Sequence, residues 1–321
     1  MPCAVAALSE LGVCLPAGTG RPFRGFNFCV PGTVARGAFT GACGIGLRRT
    51  ELHALLAERA QAMGVDLRWN SPVVLHPDGT VSVGGERCSV RWIIGADGQR
   101  SAVRRAAGLE PRRESLPRFG FRQHFRCTPW TDHVEIHWAQ GAQAYVTAVG
   151  EDQICVAVVS TSPQQRIGNL GQVFPEIAAR LNGACPLSTE RGAVTTCRRV
   201  PRLVKGNVLL IGEAAGSVDA ITGYGLAIAF QQAIALRDAF SAGHPGWYAA
   251  PALALQRKPR VMSEMLTFLG KHPRLCRRII TASAKEAAVF TQMAAWHSGT
   301  RSAVPCDAAA VMRLGWRLAR A

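Results

Sequence analysis

A short apolar run ends in glycine and a carboxylate at Ile93–Gly95, where the sequence continues Ala-Asp-Gly. A strand with such an end brings bare backbone and one carboxylate to the carboxyl edge of a sheet, where small residues allow a ligand to approach closely. Arg104, on the following helical turn, can reach a phosphate group. A plain β–α turn with Asp97 as a helix cap explains this segment equally well. The candidate residues are Gly95, Asp97, Gly98, Ser101 and Arg104.

The second such segment begins with the apolar run 208–211 and continues with glycine, Glu213 and a small-residue stretch. Shortly afterwards, a Gly-Tyr-Gly sequence opens a long helix, whose first N–H groups can face an anion. The carboxylate suits a sugar-like hydroxyl, and the helix end suits a pyrophosphate or an electron-rich ring. A tight turn without a ligand is the alternative interpretation. The candidate residues are Gly212, Glu213, Ala214, Ala215, Gly216, Gly223, Tyr224, Gly225 and Leu226.

The third candidate is Arg49, which opens the pattern R-x-x-L-x-x-x-L. Taken alone it is not specific, because an arginine near a helix start usually faces solvent.

The elements around these residues follow from periodicity. Helices are predicted at 1–14 and at 50–64, the latter with Thr50 as N-cap and Gly64 as its end. A strand is predicted at 65–69, followed by a hairpin that turns at Asp78-Gly79. Residues 118–160 predict an antiparallel meander, residues 171–184 a helix, and residues from 251 onwards a basic helical region.

Composition excludes several classes of protein. With 321 residues, 48% of them hydrophobic, the chain has ample material for a core and about two domains. The formal charge of +16 comes mainly from scattered arginines, because only four lysines are present. A nucleic-acid footprint needs basic residues clustered on one face, so no specific nucleic-acid partner is expected. The basic helices after residue 251 leave peripheral membrane contact open.

Cysteine usage points to a reducing compartment. The eleven cysteines are odd in number and no two form C-x-x-C, so neither a disulfide framework nor a zinc site is expected, and the predicted location is cytoplasmic. No uncharged apolar run reaches 18 residues. His133, Glu135 and His137 share one strand face and could bind a metal or serve as acid–base groups. A polar face towards solvent is the favoured interpretation, so no metal site is predicted.

In combination, the three motifs resemble those of FAD-dependent oxidoreductases of the para-hydroxybenzoate hydroxylase class, which includes single-component flavin monooxygenases and the related geranylgeranyl reductases. The resemblance spans about residues 2–240. It implies that Arg49 touches FAD, that the 95–104 motif helps to bind the FAD pyrophosphate and the passing nicotinamide cofactor, and that the 212–216 motif binds ribityl and pyrophosphate oxygens. Residues 223–226 would lie near the isoalloxazine ring. Glu213 replaces the usual Asp of the family.

The resemblance implies an α/β fold with three parts. Residues 1–115 and 195–245 would form a discontinuous, Rossmann-like FAD-binding lobe, residues 116–194 an antiparallel substrate-binding sheet, and residues 246–321 a C-terminal helical region. The family also begins with a strand–GxGxxG–helix unit that holds the ADP half of FAD, and no such unit is recognised here. We therefore expect Met1 to be internal and a unit of roughly 30 residues to be encoded upstream.

The implied activity is NAD(P)H-driven oxygenation of a small aromatic or polyketide-like substrate, with FAD as cofactor and catalytic residues not identified. Two alternatives stay open, namely reduction of prenyl double bonds without oxygen, and a non-catalytic remnant that has lost FAD binding. Flavin halogenases are also related, but they carry a lysine downstream of the first nucleotide unit and a W-x-W-x-I-P motif. Here no lysine precedes residue 205 and that motif is absent, so halogenation is not favoured.

Overall fold

A computed structural model describes residues 1–76, 78–111 and 115–300. The α-helices among these residues are Pro2–Glu10 (α1), Arg49–Ala62 (α2), Ala102–Ala106 (α3), Leu170–Val173 (α4), Pro175–Arg180 (α5), Gly225–Ser241 (α6), Ala249–Leu255 (α7), Arg257–Lys271 (α8), Pro273–Lys285 (α9) and Ala287–Ser298 (α10). The predicted C-terminal helical region is thus present up to residue 298, and its part at 301–321 lies outside the described residues.

Most of the β-strands are short. They are Arg21–Phe23 (β1), Gly25–Val30 (β2), Thr33–Ala38 (β3), Gly44–Gly46 (β4), Val73–Leu75 (β5), Val81–Val83 (β6), Glu86–Cys88 (β7), Ile93–Gly95 (β8), Arg118–Arg126 (β9), Val134–Ala139 (β10), Ala142–Ala148 (β11), Gln153–Ser160 (β12), Cys185–Pro186 (β13), Arg191–Thr195 (β14), Arg198–Arg199 (β15), Val204–Lys205 (β16), Val208–Leu210 (β17) and Gly216–Ser217 (β18).

The largest sheet has eight strands and the order β13-β9-β12-β11-β10-β2-β3, with β14 also paired to β9. Strands β10, β11 and β12 form the predicted antiparallel meander, and β9 joins it through β12. The parallel pair in this sheet is β10 with β2, in which His137 lies opposite Cys29. As in any β-sheet, alternate residues along each strand face opposite sides of this sheet.

Each face of the eight-stranded sheet is covered by helices. On one face, Phe28, Ile136 and Phe290 belong to a core that includes residues of α8, α9 and α10. On the other face, Val156, Val158 and residues of α4 and α5, such as Ile177, form a second core. The alternation of the strand sequences thus supplies two apolar faces.

A smaller sheet carries the two motif strands. Its order is β16-β17-β8, with β17 antiparallel to β16 and parallel to β8. Leu209 and Leu210 are fully buried there, and Tyr248 Oη donates to Leu210 O at 2.7 Å. Together the two sheets and their helices make the mixed α/β fold that the sequence predicts.

Several local predictions differ from the structure. The helix predicted at 171–184 is instead the two short helices α4 and α5, which are separated at Phe174. Helix α2 begins at Arg49 rather than after Thr50, because Arg48 takes the extended conformation of the N-cap. Residues 65–69 form no strand, since Val65 and Trp69 are exposed and the described residues provide no neighbouring strand to pair with them.

One strand pairing links two of the predicted parts of the chain. Strands β2 and β3 lie within the segment 1–115 that was assigned to the FAD-binding lobe, yet they complete the eight-stranded sheet. The physical reason is the apolar side of β2, where Phe26 and Phe28 pack against Val134 and Ile136 of the neighbouring strand. Among the described helices, none has the length and hydropathy needed to cross a membrane.

Candidate functional site

The two strand–glycine motifs meet at one edge of the smaller sheet. Leu210 lies opposite Gly95 in the parallel pair β17–β8, and Ile211 N donates to Gly95 O at 2.9 Å. Both carboxyl ends therefore emerge side by side, which is where open α/β sheets bind ligands. Gly95 itself is a packing residue, because a Cβ there would lie 2.8 Å from Leu210 Cδ2 and 2.9 Å from Val103 Cγ1.

The first motif builds the start of α3. Asp97 Oδ2 accepts hydrogen bonds from Ala102 N at 2.6 Å and Val103 N at 3.1 Å, while Ser101 Oγ accepts one from Arg104 N at 2.9 Å. Burial raises the pKa of Asp97, but the hydrogen bonds from Ser101 and the backbone outweigh it and hold the pKa below its usual value. Asp97 and Ser101 thus cap the helix, and Asp97 carries a negative charge.

Gly98 follows Asp97 in the left-handed region, with φ of +77°, and a Cβ there would meet no atom within 4 Å. The loop needs glycine for this conformation. It therefore presents open backbone at the sheet edge.

Arg104 departs from its predicted position. Its side chain is fully buried and every guanidinium nitrogen is engaged: Nε with Glu110 Oε2 at 3.2 Å, Nη1 with Ala214 O at 3.0 Å, and Nη2 with Gln99 O at 2.8 Å. A direct contact with a phosphate is therefore not what the structure shows. Instead, Arg104 ties the first motif to the second through Ala214 O.

The second motif forms a tight turn, in which residues Gly212–Ala215 form one turn of 3-10 helix. Gly212 has φ of +63°, and its N–H donates to Gln232 Oε1 of α6 at 2.8 Å. Ala214 and Ala215 are fully buried, so their small side chains allow the turn to pack closely. A Cβ on Gly216 would lie 3.0 Å from Arg198 O. Of this motif, Glu213 is the exposed member.

Arg49 and Glu213 interact across the site. Arg49 is the first residue of α2 and lines the large cavity described below. Loss of hydration lowers the pKa of the Arg49 guanidinium, the carboxylate of Glu213 raises it, and Arg122 lowers it further. The two sequence motifs that carry these charges are therefore brought to one place.

Among residues 223–226, the two glycines expose their backbone, whereas the other two residues pack their side chains into a core. Gly223 has φ of +65°, and both Gly223 and Gly225 face open space where a Cβ would stand. Helix α6 has 17 residues, and no side chain caps its first N–H groups. Tyr224 and Leu226 instead pack into a core with α1 and α2, and Tyr224 Oη donates to His297 O.

A cavity of about 530 Å³ lies between the eight-stranded sheet, the turn at 220–223 and helices α8 and α10. Its size is that of a small-molecule site. Gly46, Leu47, Arg49 and Gly223 line it where the motifs converge. The cavity and the open backbone around Gly98 and Glu213 are the parts of this region able to accept a ligand.

Most cavity residues lie outside the predicted site, among them two polar residues of the large sheet. Arg122 and His124 are alternate residues of β9 and face the cavity from the sheet. The sequence shows their alternation with Phe121 and Phe125, but it does not show which face of the strand meets a cavity.

Glu135 and His137 of β10, and His133 just before that strand, lie on the far side of this sheet. His137 Nε2 is 3.0 Å from Glu135 Oε2, which also accepts from Trp130 Nε1 at 3.0 Å. Cys29, Glu135 and His137 bring ligand atoms within 4.8 Å of one another. The interpretation of this face as solvent-exposed is wrong, because His133, Glu135 and His137 are all buried. Trp130 and Arg180 cover it.

Comparison with known families identifies the cofactor-binding part. The sequence profile of a family described as FAD binding domain matches residues 38–254. Digeranylgeranylglycerophospholipid reductase 1 of Methanopyrus kandleri is 28% identical over 146 residues, which are 42% of this chain and 39% of the reductase. The chain thus spans about two fifths of that curated relative.

Solved structures share the fold at low sequence identity. A flavoprotein/dehydrogenase from Cytophaga hutchinsonii superimposes with a TM-score of 0.78 at 16% identity, over 94% of this chain and 82% of its own. The flavin-dependent brominase Bmp2 gives 0.71 at 16%, over 85% and 77%. The enzyme 2-methyl-3-hydroxypyridine-5-carboxylic acid oxygenase gives 0.66 at 20%, over 90% and 84%. The fold is that of para-hydroxybenzoate hydroxylase-type flavoenzymes.

Proposed function

The chain belongs to this family of FAD-binding flavoenzymes, since the profile covers 217 of its 321 residues, and on that premise we propose that it is an NAD(P)H-driven monooxygenase acting on a small aromatic or polyketide-like substrate. The observation that carries the proposal is the meeting of the two strand–glycine motifs at one sheet edge, in a chain whose Arg49 and Gly223 line a large cavity. FAD, when bound, supplies the electron transfer and oxygen activation that such a reaction needs.

The residues present fit FAD in two respects. Gly98, Gly223 and Gly225 leave room on the side where a Cβ would stand, so backbone is open to a ligand. The uncapped N-terminus of α6 offers N–H groups and the positive end of the helix dipole, which favour a pyrophosphate or an electron-rich ring. Arg49 adds a positive charge, and the carboxylate of Glu213 suits a ribityl hydroxyl.

The remaining motif residues hold this arrangement. Arg104 fixes the 212–215 turn through Ala214 O, Asp97 and Ser101 fix the start of α3, and Gln232 holds Gly212 N. We assign these side chains positioning roles. Glu213, Arg49 and the backbone of Gly98, Gly223 and Gly225 are assigned to direct contact with the cofactor.

Reduction of a prenyl double bond is the second candidate function. It is favoured by the 28% identity with the digeranylgeranylglycerophospholipid reductase and by the apolar lining of the cavity, which includes Phe28, Met265, Leu266 and Phe290. Such a reaction uses the same reduced flavin without consuming oxygen.

The test is a flavin spectrum followed by oxygen measurement. We expect the purified protein, supplied with FAD, to show flavin absorbance and to oxidise NADH or NADPH. Substrate-dependent oxygen uptake that is not recovered as hydrogen peroxide supports the monooxygenase, whereas substrate-dependent NAD(P)H oxidation under strict anaerobiosis supports the reductase. Absence of bound flavin at saturating FAD would contradict both and favour the non-catalytic alternative.

We further propose that the protein works in the cytoplasm and contacts membranes through α8 and α9. Val261, Met265 and Phe268 follow one another at i, i+4 and i+7 on α8 and are all exposed, with Phe268 at 52%. Arg274 and Arg277 at the start of α9 are also exposed. Such a row beside positive charge suits an anionic bilayer surface.

Vesicle flotation tests this contact. The native protein is expected to float with phosphatidylserine-containing vesicles and much less with phosphatidylcholine vesicles. Phe268→Ser should lower the floating fraction, whereas Trp247→Ser, which changes an exposed aromatic residue elsewhere, should not. Equal flotation of Phe268→Ser and the native protein would remove α8 from the contact.

A further inference from the structure

The cavity beneath the eight-stranded sheet has two chemically different ends. Its lining contains Arg49, Arg122 and His124 but no aspartate or glutamate among the described residues. No carboxylate therefore lines the cavity beside Arg122 and His124, although Glu213 lies near Arg49.

Arg122 is the central group of the polar end. It lies opposite Ala157 in the β9–β12 pair and faces the cavity. Within the described part of the chain, no hydrogen bond or ion pair engages its guanidinium. A guanidinium in this position has its planar set of donors available to a carboxylate or a phosphate.

His124 adds a second donor two residues along the same strand. Its backbone N–H donates to Ser188 Oγ at 3.1 Å, and its Nδ1 is 3.3 Å from the same oxygen. When the Ser188 hydroxyl donates to Nδ1, Nε2 carries the ring proton and can donate to a ligand. Burial, with Arg48 and Arg122 nearby, lowers the pKa of His124, so the ring is a neutral donor at neutral pH.

The other end of the cavity is apolar and adaptable. Phe28 and Ile136 line it from the sheet, and Met265, Leu266, Phe290 and Met293 line it from α8 and α10. Methionine side chains adjust to irregular apolar ligands. This end therefore suits an extended hydrocarbon or a ring system, and strands β12 and β11 separate it from the polar end on β9.

We propose that the cavity binds an amphiphilic anion, with its anionic head group on Arg122 and His124 and its apolar body towards α8 and α10. The inference rests on the proposed function in one respect, namely that this compound is the substrate of the flavoenzyme. A carboxylate and a phosphate share the required chemistry, and the experiment separates them.

The test uses three probes that share a ten-carbon chain, namely decanoate, decyl phosphate and 1-decanol. Isothermal titration of the FAD-loaded protein should show at least one anion binding about tenfold or more tightly than decanol, as expected for a hydrogen bond to a charged group. Whichever anion binds more tightly identifies the head group.

Variants of one strand supply the control. Arg122→Gln should reduce the affinity for the anion to within about threefold of that for decanol, while decanol binding stays unchanged. Arg126→Gln removes the same charge from β9, but Arg126 does not line the cavity. This variant should keep the native preference.

Three results would overturn the inference: equal affinity of the native protein for anion and alcohol, no binding of any probe, or release of FAD by the anions. The last would assign the cationic end to the cofactor. Preference for the anion in a protein that cannot be loaded with FAD would support the binding site and contradict the proposed enzymatic function. The two proposals can therefore fail separately.

Discussion

Arg118 and Asp219 form a buried ion pair between the eight-stranded sheet and the turn that precedes α6. Arg118 Nη1 is 2.9 Å from Asp219 Oδ1, and the two side chains are 9% and 5% exposed. Arg118 Nη2 also donates to Gln143 Oε1 and to Val159 O. Asp219 Oδ1 in turn accepts from Ile221 N at 3.0 Å. The pair therefore sets the position of the segment that carries Gly223.

Arg118→Met is expected to destabilise the protein by about 3–5 kcal/mol, because it leaves the Asp219 carboxylate buried without its partner. Urea unfolding measures this loss. The double variant with Asp219→Asn should recover part of it, since the uncompensated charge is removed. Arg237→Ala breaks an exposed pair with Glu10 and should change the free energy of unfolding far less. A similar small effect for Arg118→Met would contradict the structural role of the pair.

Glu213→Ala is expected to weaken FAD binding by roughly 10- to 150-fold. This factor corresponds to the free energy of one hydrogen bond to a charged group. Glu213→Asp keeps the carboxylate and should bind FAD as well as the native protein or better. Fluorescence titration with FAD gives the affinities. The control is Glu58→Ala, which changes an exposed glutamate on a different element, helix α2. Unchanged affinity in Glu213→Ala would remove this residue from the site.

Gly223→Ala is expected to weaken FAD binding because its methyl group enters the open space before α6. The matched control is Gly243→Ala, just past the other end of α6. Both glycines have positive φ, +65° and +76°, and both face open space. Each substitution should cost about 1–2 kcal/mol of stability, but Gly223→Ala alone should lower FAD affinity. An equal decrease in both variants would indicate a general effect on folding.

His297 should make stability depend on pH. Burial lowers its pKa to about 4, from 6.5, and its Nε2 lies 3.0 Å from Thr222 O. Between these values the unfolded chain binds more protons, so the free energy of unfolding falls as pH falls from 6.5 towards 4. The difference between pH 7 and pH 5 should be about 2 kcal/mol.

Urea unfolding at the two pH values, in native protein and in His297→Gln, isolates this contribution. The variant should lose the pH-dependent part, while His53→Gln, which changes an exposed histidine of α2, should retain it. The same pH dependence in His297→Gln would show that other groups produce it.

The motif regions could be predicted because their information is local. Glycine next to an apolar run identifies a strand end, and the two junctions at Gly95 and Gly212 do meet. The direction of the Arg104 side chain could not be predicted, because its partner Ala214 O lies 110 residues away. The parallel pairing of β2 with β10 is equally non-local. The assignment of His133, Glu135 and His137 to a solvent-exposed face failed because alternation separates two faces without saying what covers each.

The parallel contact of β2 with β10 has a consequence for cooperativity. The chain builds part of the larger sheet at 25–38, passes to the smaller sheet for β8, returns for β9–β14, and passes back for β16 and β17. Helices α9 and α10 then return to pack on β3. No single cut of the chain separates one sheet from the other. The two should therefore unfold in one transition, and neither should be recoverable as a folded fragment from a continuous stretch of sequence.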